Sequence, residues 1–343
     1  MSDTMAEGSP NVRLRAGDWV EILSFPQIQA TLDQCGCQDA LPFMVEMVPF
    51  CGRRLRIRKV VQQVCIDGSK QLNGESTLRA FRNQSVLILD EARCSGTAHS
   101  GCDKGCCIFW KTSWVKPVSG PSEEINPPSA PTPPENVQSL LPSQDNTGRF
   151  HCQSSELPKA TIHISLFRRL VHSWKDIQVG NMTATGKLEQ FMIWGCWKLH
   201  GILRGSYPRG NANPTPMESL NLQPGEWVEV KTLKEIELTL DQGGKNRGLH
   251  FSADMRLLCG RKLRVRRRLD GIVVEGIGQF RKFKNTVTLE GATCDSAYYA
   301  FGGCARETLH YWREIWLRRV QPTSQPFEAP QRGLRPTAAP KGT

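Results

Sequence analysis

The chain contains two copies of one sequence pattern, and that duplication limits what it can fold into. Gly17-Asp-Trp-Val-Glu21 recurs as Gly225-Glu-Trp-Val-Glu229. Thr31-Leu-Asp-Gln34 recurs as Thr239-Leu-Asp-Gln242, and Cys51-Gly-Arg-Arg-Leu-Arg56 as Cys259-Gly-Arg-Lys-Leu-Arg264. All three pairs keep one gapless spacing of 208 residues, as do Ile28/Ile236, Leu41/Leu249, Phe43/Phe251 and Met47/Met255. The spacing then falls to 200 at Leu89/Leu289 and Cys94/Cys294, so the first copy carries a longer hairpin. It settles at 202 for Cys102/Cys304, Trp110/Trp312 and Trp114/Trp316. The chain therefore holds two copies of one module, at 13–118 and 221–321.

Within each copy the pattern is that of strands. Trp19-Val-Glu-Ile-Leu23 alternates as it leaves a glycine turn. Leu55-Arg-Ile-Arg58 and Leu263-Arg-Val-Arg266 alternate apolar with basic residues, as half-exposed strands do. Ile28 and Leu32, like Ile236 and Leu240, have the spacing of a short helix. About five short strands with one inserted helix in ~100 residues predict a mainly β protein of two tandem SH3-like small barrels. Residues 119–157, with the run PPSAPTPPENVQSLLPS, read as a disordered Pro/Ser-rich linker. Residues 158–204 read as a helical middle segment, and 322–343 as a disordered tail.

The net charge of +11 admits an anionic ligand, nucleic acid or glycan, without choosing between them. The polar N-terminal stretch lacks the apolar core of a secretory signal, and no run reaches the ~20 residues of a membrane span. A cytoplasmic protein is expected. Thirteen cysteines in that compartment stay reduced, so clustered ones are better read as ligands or reactive groups than as disulfides.

The densest cluster is Cys94-Ser-Gly-Thr-Ala-His-Ser-Gly-Cys-Asp-Lys-Gly-Cys-Cys107, four cysteines and a histidine on a Gly-rich stretch. Cys51, Cys94 and Cys102 recur as Cys259, Cys294 and Cys304, so both modules carry a shared thiol scaffold. Strand ends of a small barrel converge, and zinc takes four N or S donors. Cys51, Cys94 and Cys102 with Cys106 or His99 would supply them. The second copy offers Cys259, Cys294 and Cys304, with His310 as a fourth donor or an open position. An iron–sulfur cluster on four thiolates is the alternative cofactor.

Other features carry less chemistry. Arg261-Lys-Leu-Arg-Val-Arg-Arg-Arg268 could follow a phosphate backbone, but no aromatic residues interleave for base stacking. The tryptophans four apart, Trp110/Trp114 and Trp312/Trp316, read as core plugs. The apolar stretch 188–203 reads as a helix docking on a module or protein partner; peripheral membrane contact through it is the less favoured reading. Asp33/Asp241 and Glu46/Asp254 recur as structural carboxylates. No phosphate loop, nucleophile elbow, HExxH or dinucleotide fingerprint is present.

GDWVE, TLDQ, LPFMVEMVPFCGRRLR, LDEARCSGTAHSGC and CCIFWKTSWVKPV in the first copy, with GEWVEV, CGRKLRVRRR and YWREIWLRRV in the second, resemble a bacterial family. Its proteins carry this module singly or in tandem, with no established activity. The resemblance covers both modules and implies that Cys51, Cys94, His99, Cys102, Cys106, Cys259, Cys294 and Cys304 belong to the family's pattern. The expected function is a zinc-binding tandem-module interaction or accessory protein. A metalloenzyme or iron–sulfur redox protein is one alternative, and a nucleic-acid-binding protein using the basic strand of the second module is the other.

Overall fold

The computed structural model describes residues 13–66, 78–83, 86–121, 137–204, 208–294 and 304–320. They form two compact units. The first draws on residues up to 204 together with 271–283 and 304–308; the second comprises the described residues of 208–270, 284–294 and 309–320. Strand exceeds helix, 31% against 26%, so the protein is mainly β.

In the first unit, β1 (Trp19–Ile22), β2 (Arg54–Val60), β3 (Val86–Arg93), β4 (Cys107–Lys111) and β5 (Val115–Val118) form one antiparallel sheet in the order β4-β3-β2-β1-β5. The helix α1 (Phe25–Gln29) follows β1. A helical turn at Val137–Leu140 and the helix α2 (Gln153–Ala160) precede α3 (Leu166–Gln178) and α4 (Ala184–Arg204), which supply the helical content expected of 158–204. In the second unit, β6 (Trp227–Val230), β7 (Lys262–Arg268), β8 (Thr286–Thr293), β9 (Leu309–Arg313) and β10 (Leu317–Arg319) repeat the order as β9-β8-β7-β6-β10, with α5 (Leu233–Glu237) after β6. Each sheet is curled into a half-barrel, consistent with two tandem small barrels.

The repeated residues explain the repeated shape. Gly17 and Gly225 adopt φ of +101° and +90°, a region that favours glycine. A guanidinium crosses each: Arg56 Nε donates to the Gly17 carbonyl at 2.9 Å, Arg264 Nε to that of Gly225 at 3.0 Å. Both sheets slip register at the same place, between Ile57 and Lys59 on β2 and between Val265 and Arg267 on β7. Such bulges bend a strand and increase local twist, which lets a five-stranded sheet curl. Leu263 and Val265 point inward on β7 while Lys262, Arg264, Arg266 and Arg267 are exposed, as the alternation predicts.

Both cores are built on tryptophan. Trp110, Trp114, Trp312 and Trp316 are fully buried. Phe43 meets the Trp114 ring edge-on at 5.4 Å and Phe251 meets Trp316 at 5.2 Å, a favourable aromatic geometry. The Trp114 indole N–H donates to Thr31 Oγ1 at 3.0 Å, and Trp316 donates to Thr239 Oγ1 at 3.0 Å. Each threonine hydroxyl in turn donates to the carbonyl three residues earlier, Ile28 or Ile236, at 2.7 Å. The aspartate of the same motif ties the next turn: Asp33 Oδ1 accepts from the Cys35 and Cys37 amides, and Asp241 Oδ1 from Lys245.

The span 119–157 is not all linker. Helix α2 begins inside it, because Gln153 grips the outer strand of the first sheet. Phe109 N–H donates to Gln153 Oε1 at 2.8 Å, and Gln153 Nε2 donates to the carbonyls of Phe109 at 2.8 Å and Pro42 at 3.0 Å. One amide thus satisfies both free backbone groups of an edge residue. The Pro/Ser-rich stretch 122–136 and the tail 322–343 lie outside the described residues. Among the described residues, no helix is long and apolar enough to cross a membrane.

Removing a threonine hydroxyl leaves a buried indole N–H without an acceptor, at a cost of about 1–3 kcal/mol. Thr239→Val should therefore destabilise the second unit, and Thr31→Val the first, each by that amount. Urea denaturation followed by tryptophan fluorescence measures the loss.

Candidate metal centre

The loop joining β3 to β4 folds around Gly96. Its carbonyl accepts the amides of His99 at 3.0 Å, Gly101 at 3.0 Å and Cys102 at 3.2 Å. Gly96 sits at φ +78°, and a Cβ there would lie 2.0 Å from the Cys102 carbonyl oxygen, so only glycine fits. The amide of Cys94 donates to the carbonyl of Cys106 at 2.9 Å and closes the base of the loop.

The loop and the N-terminal end of α2 enclose a cavity lined by Cys94, His99, Cys102, Cys106, Cys107 and Cys152, with Met44, Lys104, Gln153 and Val273 among the other walls. Cys152 immediately precedes α2, and the Gln153 amide that fastens α2 to β4 brings it there. Backbone amides favour the charged form of three of these thiols: Gly96 N–H for Cys94, Val273 and then Lys104 for Cys102, and Ser155 and then Ser154 for Cys152. Hydrogen bonds to sulfur favour the thiolate. Burial opposes them. It drives the Cys94 thiol well above the ordinary range, aided by the nearby Glu46, Cys106 and Cys152. It also raises Cys102 and Cys107, and lifts Cys152 to about 11. The proximity of Cys106 raises all four of the other thiols further.

Glu46 closes one side. It lies on the 3₁₀ turn Val45–Phe50 and is buried. Its Oε1 accepts the Ala98 amide at 3.1 Å and stands 2.6 Å from His99 Nδ1; His99 Nε2 is 3.3 Å from the His151 carbonyl. Burial raises the Glu46 carboxyl, but the bond to His99 and its charge outweigh that and hold it below the ordinary range. Glu46 Oε2 is buried with no hydrogen-bond partner among the described residues. Glu46, Cys94 and His99 offer ligand atoms within 4.8 Å of one another, the one such trio among the described residues.

The other expected ligands lie elsewhere. Cys51 and Cys259 each end a 3₁₀ turn, donating their amides to Val48 and Arg256, and the following Gly52 and Gly260 take φ +76° to enter β2 and β7. Cys51 does not line the cavity. Its thiol is raised to about 11 by burial, with no neighbouring thiol contributing. Cys294 follows β8 in the second unit, whereas Cys304 belongs to the first unit. His310 Nε2 lies 3.1 Å from Asp254 Oδ2, so it pairs with the counterpart of Glu46 and not with the shared cysteines. The structure thus gathers Cys94, His99, Cys102 and Cys106 and leaves out Cys51, Cys259, Cys294 and Cys304.

Two site residues escape a reading of the sequence alone, Cys152 and Glu46. Cys152 has no counterpart in the repeat and sits in the span read as linker; its only local signal is the helix-starting pattern Cys-Gln-Ser-Ser-Glu156. Glu46 is shared with the second copy as Asp254, which made it look structural. A further grouping, Cys37 Sγ 3.4 Å from His151 Nε2 with Glu156 Oε1 3.7 Å from His151 Nδ1, has the order of a thiol–imidazole–carboxylate relay. Burial, with Asp33 adding to it, pushes the Cys37 thiol up to about 12, so it rests as the neutral thiol and not as a nucleophile.

The Lys104 side of the cavity is built on charge. Lys104 Nζ reaches Glu275 Oε2 at 2.9 Å and Ser154 Oγ at 3.0 Å, and Arg306 binds both Glu275 oxygens, at 2.8 and 2.5 Å. No protein-family model, curated protein or solved structure matches the chain.

Burial raises the Glu275 carboxyl, but Arg306 and Lys104 override it and hold it at about 2; Lys59 and Arg58 likewise override burial to hold Glu307 at about 2. Both lie below the ordinary 4.5 of the unfolded chain. Their contribution is complete above that value and is lost as pH falls from about 4.5 towards 2. Acid unfolding of the first unit should fall in that window, read by circular dichroism. Glu275→Gln should cost about 3–5 kcal/mol at neutral pH, since it leaves buried Arg306 and Lys104 without their carboxylate.

Proposed function

We propose that the chain is a zinc-binding interaction protein whose first unit is stapled by one ion held on Cys94, Cys102, Cys106 and Cys152. The observation that carries this reading is the N–H···S bonding repeated at Cys94, Cys102 and Cys152 around one cavity. Backbone donors aimed at sulfur serve a thiolate, not a thiol. Yet burial and mutual repulsion keep these groups neutral in the absence of a cation. Zinc resolves that conflict: it binds thiolates, releases their protons and adds its binding energy to folding. The zinc would supply a fixed tetrahedral crosslink between the β3–β4 loop and the start of α2.

Rotation of the thiols within the cavity would bring four sulfurs around the ion. His99 is the alternative to Cys106 as fourth donor. Its Nδ1 faces Glu46, the carboxylate–imidazole arrangement that orients histidine ligands on metals. Four protein donors leave no open position, which favours a structural over a catalytic role. Within the second unit, Asp254 pairs with His310 and Cys259 ends a 3₁₀ turn, so one ion per chain is expected.

Elemental analysis and an absorption spectrum of the full-length protein test this. About one zinc per chain is expected, with no visible absorption; a brown protein with iron and sulfide would assign the cluster instead. Cys152→Ser, Cys94→Ser and Cys102→Ser should each lower zinc affinity at least ~10-fold, while Cys51→Ser and Cys259→Ser leave it unchanged. Comparing Cys106→Ser with His99→Ala identifies the fourth donor. A metal-free protein whose cavity thiols all titrate in the native state would end the proposal.

A further inference from the structure

Outside the cavity, one cysteine pair stands closer than any other described contact between thiols. Cys65 Sγ and Cys304 Sγ are 2.9 Å apart, less than 1 Å longer than the ~2.05 Å of a disulfide bond. The approach is held by backbone structure. Gln63 and Cys304 form a parallel β-bridge, and the Ala305 amide donates to the Gln63 carbonyl at 3.1 Å. The Cys65 amide donates to Cys304 Sγ at 3.2 Å, and Arg306 Nη1 donates to the Cys65 carbonyl at 2.7 Å. Two segments 239 residues apart in sequence are thereby aligned at their sulfurs.

We propose that Cys65 and Cys304 are a disulfide-forming site, closed by exchange with a small-molecule disulfide. Accessibility sets the order of events: Cys65 is half-buried and Cys304 buried. The Cys65 thiolate attacks one sulfur of the external disulfide. A mixed disulfide forms, and the first external thiolate leaves and takes up the proton that Cys65 lost. The Cys304 thiolate then attacks Cys65 Sγ, forming the Cys65–Cys304 bond and expelling the second external thiolate, which takes up the Cys304 proton. The protein gives up two electrons and two protons, and the external disulfide becomes two thiols.

The surroundings suit Cys304 to the second step. The hydrogen bond from Cys65 outweighs burial and, with the positive charge of Arg306, holds the Cys304 thiol below the ordinary range. A lowered thiol is a thiolate over more of the neutral range. The closed bond would also fix the segment carrying Arg306, and through Glu275 it would fix Lys104 in the wall of the thiol cavity.

The test uses the full-length protein in buffers of oxidised and reduced glutathione, quenched by alkylation and mapped without reduction. The oxidised sample should yield a crosslinked peptide pair containing Cys65 and Cys304, with two fewer alkylatable thiols, both restored by reductant. Cys65→Ser and Cys304→Ser should each abolish the crosslink, and Cys259→Ser should preserve it. The wild-type map stands without any variant having to fold. Recovery of Cys65 and Cys304 as alkylated thiols, as separate glutathione adducts, or joined to other cysteines would overturn the proposal. The zinc content plays no part in this outcome, since neither thiol lines the cavity.

Discussion

Each half-barrel depends on a buried indole that must find an acceptor. A tryptophan side chain buries a large apolar area, but its N–H cannot be left in that core without cost. Thr31 and Thr239 supply the acceptor while their own hydroxyl protons stay on the carbonyls of α1 and α5. That single bond fastens the short helix to the closing tryptophan, and Phe43 or Phe251 fills the space between. The sheet curls over this centre because β2 and β7 are bulged at equivalent residues. Loss of the hydroxyl would loosen helix, tryptophan and outer strand together.

The first unit adds a second constraint. The outer strand β4 has unpaired backbone groups at Phe109, and the Gln153 amide takes both. An edge strand capped by a side chain no longer invites another strand. The capping also fixes Cys152 beside the β3–β4 loop. A bond that serves the edge of a sheet thereby brings Cys152 into the wall of the thiol-lined cavity. The Lys104–Glu275–Arg306 group performs a related task on the opposite wall, where a buried carboxylate is tolerable only because two cations meet it.

What the sequence made legible follows from this division. The repeated glycines, tryptophans, threonines and alternating basic strands report what both sheets need, and each has a matching contact in both units. The same logic misplaced Cys51. Its recurrence as Cys259 looked like shared chemistry, whereas both residues end a 3₁₀ turn where a small apolar side chain precedes a positive-φ glycine. Repetition within a chain selects for architecture first. Cys106, His99 and Cys152, which do not repeat, are the residues that set the first unit apart. Cys152 could not be placed from spacing, because what positions it is the hydrogen bonding of its neighbour Gln153 across 44 residues to Phe109.

Cys304 marks the limit of reading by analogy. The repeat aligns it with Cys102, which lies in the cavity and accepts the Val273 amide at 3.3 Å. Cys304 accepts the Cys65 amide at 3.2 Å instead. Each sulfur accepts an amide from the other copy of the repeat, and the equivalent positions differ because Cys65 also brings a second thiol, 2.9 Å from Cys304 Sγ. The carboxylate–histidine pairs diverge in the same way. Glu46 meets a histidine from the β3–β4 loop, and Asp254 meets one from β9. The second module keeps the carboxylate and sets it against a histidine of its own sheet, with His310 Nε2 3.1 Å from Asp254 Oδ2.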